Sequence, residues 1–360
     1  MKPRPSVVDN ESCMSAVDLD QHLTRLGELT DTWLRQAVAR HFSPAAERLA
    51  AMLEYHLGWR DPNLAPLSAP APAGKKLRPA LVLLVCQAAC GEITPAAQHA
   101  AAAVELIHNF SLVHDDIQDH SDLRRHRPTV WSIWGMPQGI NVGDALFALA
   151  QTVLAESGSA LAAQLTYELN RTALGLAEGQ FLDIELQDGR TPPTLETYAA
   201  MVARKTGALF ACACRMGAMA AGAADSTRDA YAAYGLDLGV AFQEQDDLLG
   251  VWGRSTETGK PDAADILERK RGLPAAIALS RPDAPAWLRL AYAEQDGALA
   301  VETVERIIGY FAEIGVPATI EQRVQTRYRS ALEHLQAAGA RRPARDYLEA
   351  ICAALVSRRT

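Results

Sequence analysis

The chain has 360 residues, 49% of them hydrophobic and 22% charged, enough apolar material for one large core or two ordinary ones. Its formal net charge of -8 argues against a general nucleic-acid binder, which needs a basic face for phosphates. A small anionic substrate held by a local basic cluster stays open.

Residues 1–18 are polar with early prolines and read as a disordered lead-in, without the apolar run of a signal peptide. From Leu19 onward Ala, Leu, Glu, Gln and Arg dominate and alternating β-branched runs are missing, so 19–360 reads as a single all-α domain: helices packed around a central cavity. The Pro- and Ala-rich stretch 61–76 is a connector inside that domain, because helical sequence resumes at once. Helices are expected over 78–90, 95–119, 141–157, 160–187, 195–222, 227–250, 261–280, 285–293, 298–314, 317–338 and 343–357. No 18-residue apolar stretch occurs, so no membrane-spanning helix is expected. Cysteines 13, 86, 90, 212, 214 and 352 form no C-x-x-C pair and read as reduced thiols of a cytoplasmic protein.

The expected helix 95–119 ends in Asp115, Asp116 and Asp119. Asp115 and Asp119 are one turn apart and share a face, and like charges at that spacing repel unless a cation sits between them. Hard oxygen ligands at this density suit magnesium held jointly with substrate phosphates. Alone, such a cluster is more often a solvated helix end. Two further features decide otherwise: Arg124 and Arg125 follow, able to grip phosphate oxygens, and a second acidic pair, Asp246 and Asp247, ends the apolar run 236–253.

These blocks, in their order, resemble the trans-isoprenyl diphosphate synthases, or polyprenyl synthetases. GKKLRP (74–79), DDIQD (115–119), DLRRHRPTV (122–130), EGQFLD (178–183), KTG (205–207), FQEQDD (242–247), TGKP (258–261) and RKRGLP (269–274) each match a family block, over roughly 74–274. The resemblance implies an isoprenoid synthase-type helical bundle, three magnesium ions per site, a homodimer, and condensation of isopentenyl diphosphate with an allylic diphosphate by ionisation, condensation and elimination. It implies that Asp115, Asp116, Asp119, Asp246 and Asp247 hold metal. Arg124, Lys205, Lys260 and Lys270 would contact the allylic diphosphate. Lys75, Arg78, His108 and Arg125 would bind isopentenyl diphosphate. Thr206 and Gln243 would line the carbocation, and Gln180 and Asp183 would orient metal-bound water. Phe110, five residues before Asp115 and beside the small Ser111, resembles the chain-length floor of geranylgeranyl diphosphate synthases; farnesyl diphosphate synthesis is the alternative.

Three positions depart from the family pattern: Gly250 replaces the third acid of the second motif, His126 stands where glycine is usual, and Trp131 where histidine is usual. Two rival functions on the same fold are a terpene cyclase, whose second metal motif DDLLGVWGR does not match, and a non-catalytic synthase subunit, which usually loses an acidic motif that this chain keeps.

Overall fold

The structure is a computed structural model that describes residues 16–71, 74–253, 263–293 and 299–356. Cys13, Lys260 and the TGKP block lie outside them. The described chain runs through α1 (Ala16–His41), α2 (Glu47–His56), α3 (Leu77–Cys90), α4 (Pro95–Gln118), a hairpin of β1 (Leu123–Arg124) and β2 (Arg127–Pro128), α5 (Val130–Trp134), α6 (Met136–Ala155), α7 (Ala162–Gln187) and α8 (Leu195–Val202). A one-turn π segment (Ala203–Gly207) leads into α9 (Ala208–Ala220) and α10 (Asp225–Trp252). The remainder is α11 (Ala264–Leu267), α12 (Leu273–Leu279), α13 (Ala286–Ala293), α14 (Val301–Glu313), α15 (Val316–Ala337) and α16 (Ala344–Val356). The fold is all-α.

Burial follows the side chains. In α3 every residue from 80 to 86 is at most 1% exposed, as expected of a helix apolar on all faces and wrapped by neighbours. The alanines 100–103 of α4 let that helix pack closely beside it. One core surrounds α3, α4, α6 and α9; a second gathers α8, the end of α10, α12, α14 and α15. The long α10 passes through both, so its acidic end is fixed between two packed regions.

Three expectations change. Within the expected 261–280 helix, the described residues from 263 on form two short helices, because Arg269 takes φ 50° and the chain turns before Leu273 and Pro274 open α12. The stretch 195–222 carries a π turn between α8 and α9. Helix α1 starts at Ala16, inside the expected lead-in. The free thiols of Cys86, Cys90, Cys212, Cys214 and Cys352 are buried or half-buried. No helix among the described residues is long and apolar enough to cross a membrane.

Helices α9 and α10 cross so closely that a Cβ on Gly235 would lie 2.5 Å from the Phe210 carbonyl oxygen. Gly235→Ala should therefore cost about 1–3 kcal/mol. Gly309, on an exposed face of α14 with nothing within 4 Å of its Cβ position, is the contrast: Gly309→Ala should gain about 0.5–1 kcal/mol. Thermal unfolding of the two variants checks both signs.

Candidate active site

The C-terminal end of α4 brings Asp115, Asp116 and Asp119 to the mouth of the bundle, and the hairpin folds its arginines back over them. Its two turn residues, Arg125 (φ 53°) and His126 (φ 62°), both have positive φ, as a two-residue β-hairpin turn of type I′ requires. Tyr55 donates to the Pro128 carbonyl at 2.7 Å, and Arg127 donates to the carbonyls of Tyr55 and Arg60 at 3.1 and 2.7 Å, so α2 pins the hairpin. Arg124 then reaches Asp116 at 2.6 Å and Asp115 at 3.3 Å.

Opposite stands the π turn with Lys205 and Thr206, of the kind that often interrupts helices at functional sites. Lys205 Nζ donates to Asp183 at 2.5 Å and lies 3.2 Å from Asp115 Oδ1. It thus ties α7 to α4. Burial would lower the Lys205 pKa, but Asp115 and Asp183 more than reverse this and it is raised. A Cβ on Gly179 of α7 would fall 2.3 Å from the Lys205 backbone nitrogen, so the bare glycine admits the π turn to its place.

Helix α10 supplies Gln243, Asp246 and Asp247. Thr206 Oγ1 donates to Gln243 Oε1 at 3.0 Å, and Gln243 Nε2 donates to Asp247 Oδ1 at 2.8 Å. The backbone N–H of Leu273 donates to Asp247 Oδ2 at 2.8 Å. Asp247 is 2% exposed, with both oxygens engaged by protein, whereas Asp246 is half-buried and close enough to Arg78 to act on its charge. Lys270 lies 3.6 Å from Asp265, with Asp247 and Asp183 also acting on it, and its pKa is raised despite burial. Among the described residues, no three His, Cys, Asp or Glu side chains already converge on one ion position.

A second basic cluster lies beside the start of α3. A cavity of about 490 Å³ is lined by Lys75, Arg78, His108, Arg125, Phe210 and Phe242 among others. Arg78 stacks over the Phe210 ring at 4.5 Å and donates to His108 Nε2 at 3.3 Å. Burial, then the charges of Arg78 and Arg125, push His108 well below its usual pKa, so it stays neutral and can accept. Lys75 is turned outward, bonded to Asp20 at 3.1 Å and 69% exposed at its side chain. The neighbouring Lys76 is buried and paired with Asp31. Glu105, 4% exposed and held by Asn109 at 3.0 Å, is a member of this cluster that motif reading missed. A lone acid in the apolar run AAAVELIHNF was the available signal.

The Phe110 ring packs edge-on against His114 (4.8 Å) and against Phe147 of α6 (5.2 Å), a partner not foreseen. Ser111 Oγ bonds the His108 carbonyl at 2.8 Å. Gln180 Nε2 is buried without a hydrogen-bond partner among the described residues.

The sequence model described as Polyprenyl synthetase matches residues 65–310. The chain is 40% identical over 291 residues to a geranylgeranyl diphosphate synthase of Mycobacterium tuberculosis, covering 80% of this chain and 82% of the relative. It is 41% identical over 250 residues to a (2E,6E)-farnesyl diphosphate synthase of Mycobacterium bovis, covering 69% and 67%. A crystal structure of a polyprenyl synthetase from Streptomyces coelicolor superposes with a TM-score of 0.85 at 35% identity, covering 93% of this chain and 99% of that one. The chain belongs to the polyprenyl synthetase family.

As a polyprenyl synthetase it is a prenyltransferase on the isoprenoid synthase-type fold, and two of its departures from the family pattern now have a physical place. His126 occupies a positive-φ turn position that glycine adopts without strain. Trp131 donates its indole N–H to the Ser121 carbonyl at 2.9 Å and so fastens the loop that follows α4.

In this polyprenyl synthetase burial and neighbouring charge disfavour the ionised acids at the end of α4. Burial, then the Asp115 charge, raise Asp119 to about 6. Burial likewise raises Asp116 to about 6, against the pull of Arg124. A carboxyl with a raised folded pKa keeps its proton longer in the native state, so its contribution falls as pH rises from about 4 to 6 and stays low above that. Asp119 keeps solvent contact, which screens the effect. Asp119→Asn should therefore raise the ligand-free Tm at pH 8 by about 2 °C and leave it near the parent value at pH 4. Scanning calorimetry in chelator at the two pH values checks this.

Proposed function

We propose that this chain condenses isopentenyl diphosphate with an allylic diphosphate, with magnesium as cofactor, to give geranylgeranyl diphosphate. The observation that carries the reading is the pairing of two unlike anion sites across α4 and α10: carboxylates interleaved with Lys205, Lys270 and Arg124 on one side, and Arg78, Arg125 and neutral His108 on the other. The first takes a diphosphate only with cations; the second takes one directly.

The donors Asp115, Asp119 and Asp246 fit magnesium: all are hard carboxylate oxygens, and among the described residues Asp115 Oδ1 has the Lys205 ion pair but no hydrogen-bond partner. Bound there with Asp116, the metal supplies charge neutralisation of the leaving diphosphate. Lys205, Arg124 and Lys270, with Lys260, grip the remaining oxygens as the allylic C1–O bond breaks and its electron pair leaves with the diphosphate. Arg78, Arg125 and His108 hold isopentenyl diphosphate so that its double bond faces that carbon; Lys75 joins by turning in from Asp20. Its π electrons form the new C–C bond, and the adjacent C–H proton passes to the released pyrophosphate. The Thr206–Gln243–Asp247 chain fixes the carboxamide beside the developing cation. Asp247 acts here through Gln243, since its own oxygens are engaged. Gln180 and Asp183 would orient water beside the bound ion.

Turnover of isopentenyl diphosphate with five-, ten- and fifteen-carbon primers tests the proposal. Magnesium should be required, and Asp115→Ala or Asp246→Ala should lower kcat by about 10³-fold or more with the Tm kept. Turnover of a primer without isopentenyl diphosphate would indicate a cyclase, and no turnover by the isolated chain a non-catalytic subunit.

Product length rests on the Phe110–Phe147 ring pair between α4 and α6. Phe110→Ala should shift products to twenty-five carbons or more; an unchanged product spectrum by chromatography would move the limit elsewhere.

A homodimer is proposed from an exposed stripe on α7. Tyr167, Leu174 and Phe181, seven residues apart, are 69, 64 and 61% exposed and form an apolar stripe that a second copy could cover. Light scattering should give about twice 38.8 kDa, and Leu174→Glu should yield the monomer.

A further inference from the structure

Glu105 belongs to neither acidic motif, yet its carboxylate lines the same cavity as Arg78, His108 and Arg125. It is 4% exposed. Asn109 Nδ2 donates to its Oε1 at 3.0 Å and to its carbonyl at 2.8 Å, so the side chain is held against its own helix turn. The other oxygen, Oε2, is buried with no hydrogen-bond partner among the described residues, and so is Nε of Arg78. The cavity wall thus carries a bare acceptor and a bare donor, each costly to bury unless a ligand takes it up.

Charges face Glu105 from several elements. Lys76 and Arg78 act from the start of α3 and Arg125 from the hairpin, with Lys76 already paired to Asp31 of α1. His108, one turn further along α4, is bonded to Arg78, and His56 of α2 meets Asn109. Asp246 of α10 acts on Arg78, Asp116 acts on Arg125, and Lys75 at the rim is paired with Asp20 of α1. From α9, α10 and α16 the cavity receives Phe210, Phe242, Ile351 and Leu355, which do not titrate. Burial outweighs the pull of Lys76, Arg78 and Arg125, so the Glu105 carboxyl is raised above its usual pKa.

A diphosphate that meets Arg78 and Arg125 here also meets the Glu105 carboxylate. Two anions sharing two arginines repel in a dry site, and one proton between them removes that repulsion. The same proton satisfies the bare Oε2, while a diphosphate oxygen accepts from Arg78 Nε. We propose that Glu105 is a further binding residue for isopentenyl diphosphate, which enters with one proton shared between Glu105 Oε2 and a diphosphate oxygen. That proton comes from solvent, and no covalent bond to carbon or phosphorus changes. The inference rests on the isopentenyl diphosphate reading of this cavity. A carboxyl that gains a proton on binding has a higher pKa in the complex, so affinity falls as pH rises between its free and bound values.

The test is calorimetric titration with isopentenyl diphosphate in chelator at pH 8, in buffers of different ionisation enthalpy, which counts the protons exchanged. The parent should take up about one proton more than Glu105→Gln, whose carboxamide keeps the shape and donates to the same diphosphate oxygen. The ligand's own protonation is common to both and cancels. From pH 7 to pH 8 the parent Kd should rise several-fold more than that of Glu105→Gln. His108→Gln should bind more weakly but keep the parent's proton uptake. Equal uptake in the parent and Glu105→Gln overturns the proposal and leaves Glu105 a structural counter-ion. So does uptake lost in His108→Gln and kept in Glu105→Gln, which assigns the proton to the imidazole. A parent that binds no isopentenyl diphosphate, or Arg78→Ala binding as the parent does, fails the reading of the cavity and the inference with it. Should Glu105→Gln lower the Tm, difference infrared spectroscopy of the parent decides. The ligand should bring up the carbonyl band of a protonated carboxyl, and absence of that band overturns the proposal.

Discussion

Like charges are gathered inside this molecule and kept from flying apart by cations set against them. Asp115, Asp183 and Lys205 form one such group, Asp116 and Arg124 a second, Asp265 and Lys270 a third. The carboxylates come from three rigid elements, α4, α7 and α11, so the repulsion cannot relax by side-chain motion alone. Burial first, and the neighbouring acids after it, raise Asp116 and Asp119 to about 6. A site of this kind is poised for a ligand that brings both signs at once, and a diphosphate with divalent ions does so.

Holding the elements that close together is the task of the scaffold. The π turn sets Lys205 against α7 because Gly179 has no side chain, and α10 runs against α9 at Gly235 for the same reason. Around these crossings the core is dense, with α3 wholly buried and α10 shared between two packed regions. Arg271 does for the α11–α12 turn what Tyr55 and Arg127 do for the hairpin: buried hydrogen bonds to main-chain carbonyls fix a loop that carries charge to the site. Electrostatic stabilisation of a leaving group requires dipoles and charges that do not reorganise during the reaction, and these anchors supply that rigidity.

Much of this was legible in the sequence where chemistry and helical spacing coincide. Asp115 and Asp119 sit at the end of α4 and Asp246 in the last two turns of α10, on the helices expected for them, and Arg78, His108 and Arg125 line one cavity. What escaped depends on contacts between distant segments. The Asp265 carboxylate reaches α10 across a turn whose helices read as one continuous helix, because Arg269 and Gly272 gave too weak a break against strong flanking propensity. The Arg125–His126 turn was hidden because neither residue is a usual positive-φ type. Lys75 and Lys76 are alike in sequence, and only packing turns one to solvent and the other inward. Phe147 contributes a ring to the Phe110 contact from a helix with no motif of its own.

The claim that unites these observations is that the acidic half of the site is completed by metal and diphosphate together. Calorimetric titration of the ligand-free protein with inorganic pyrophosphate, with and without magnesium, addresses it directly. Pyrophosphate should bind at least about 100-fold more tightly with magnesium present, and magnesium alone should bind weakly. Pyrophosphate affinity indifferent to magnesium, or equally tight magnesium binding without pyrophosphate, would contradict the account.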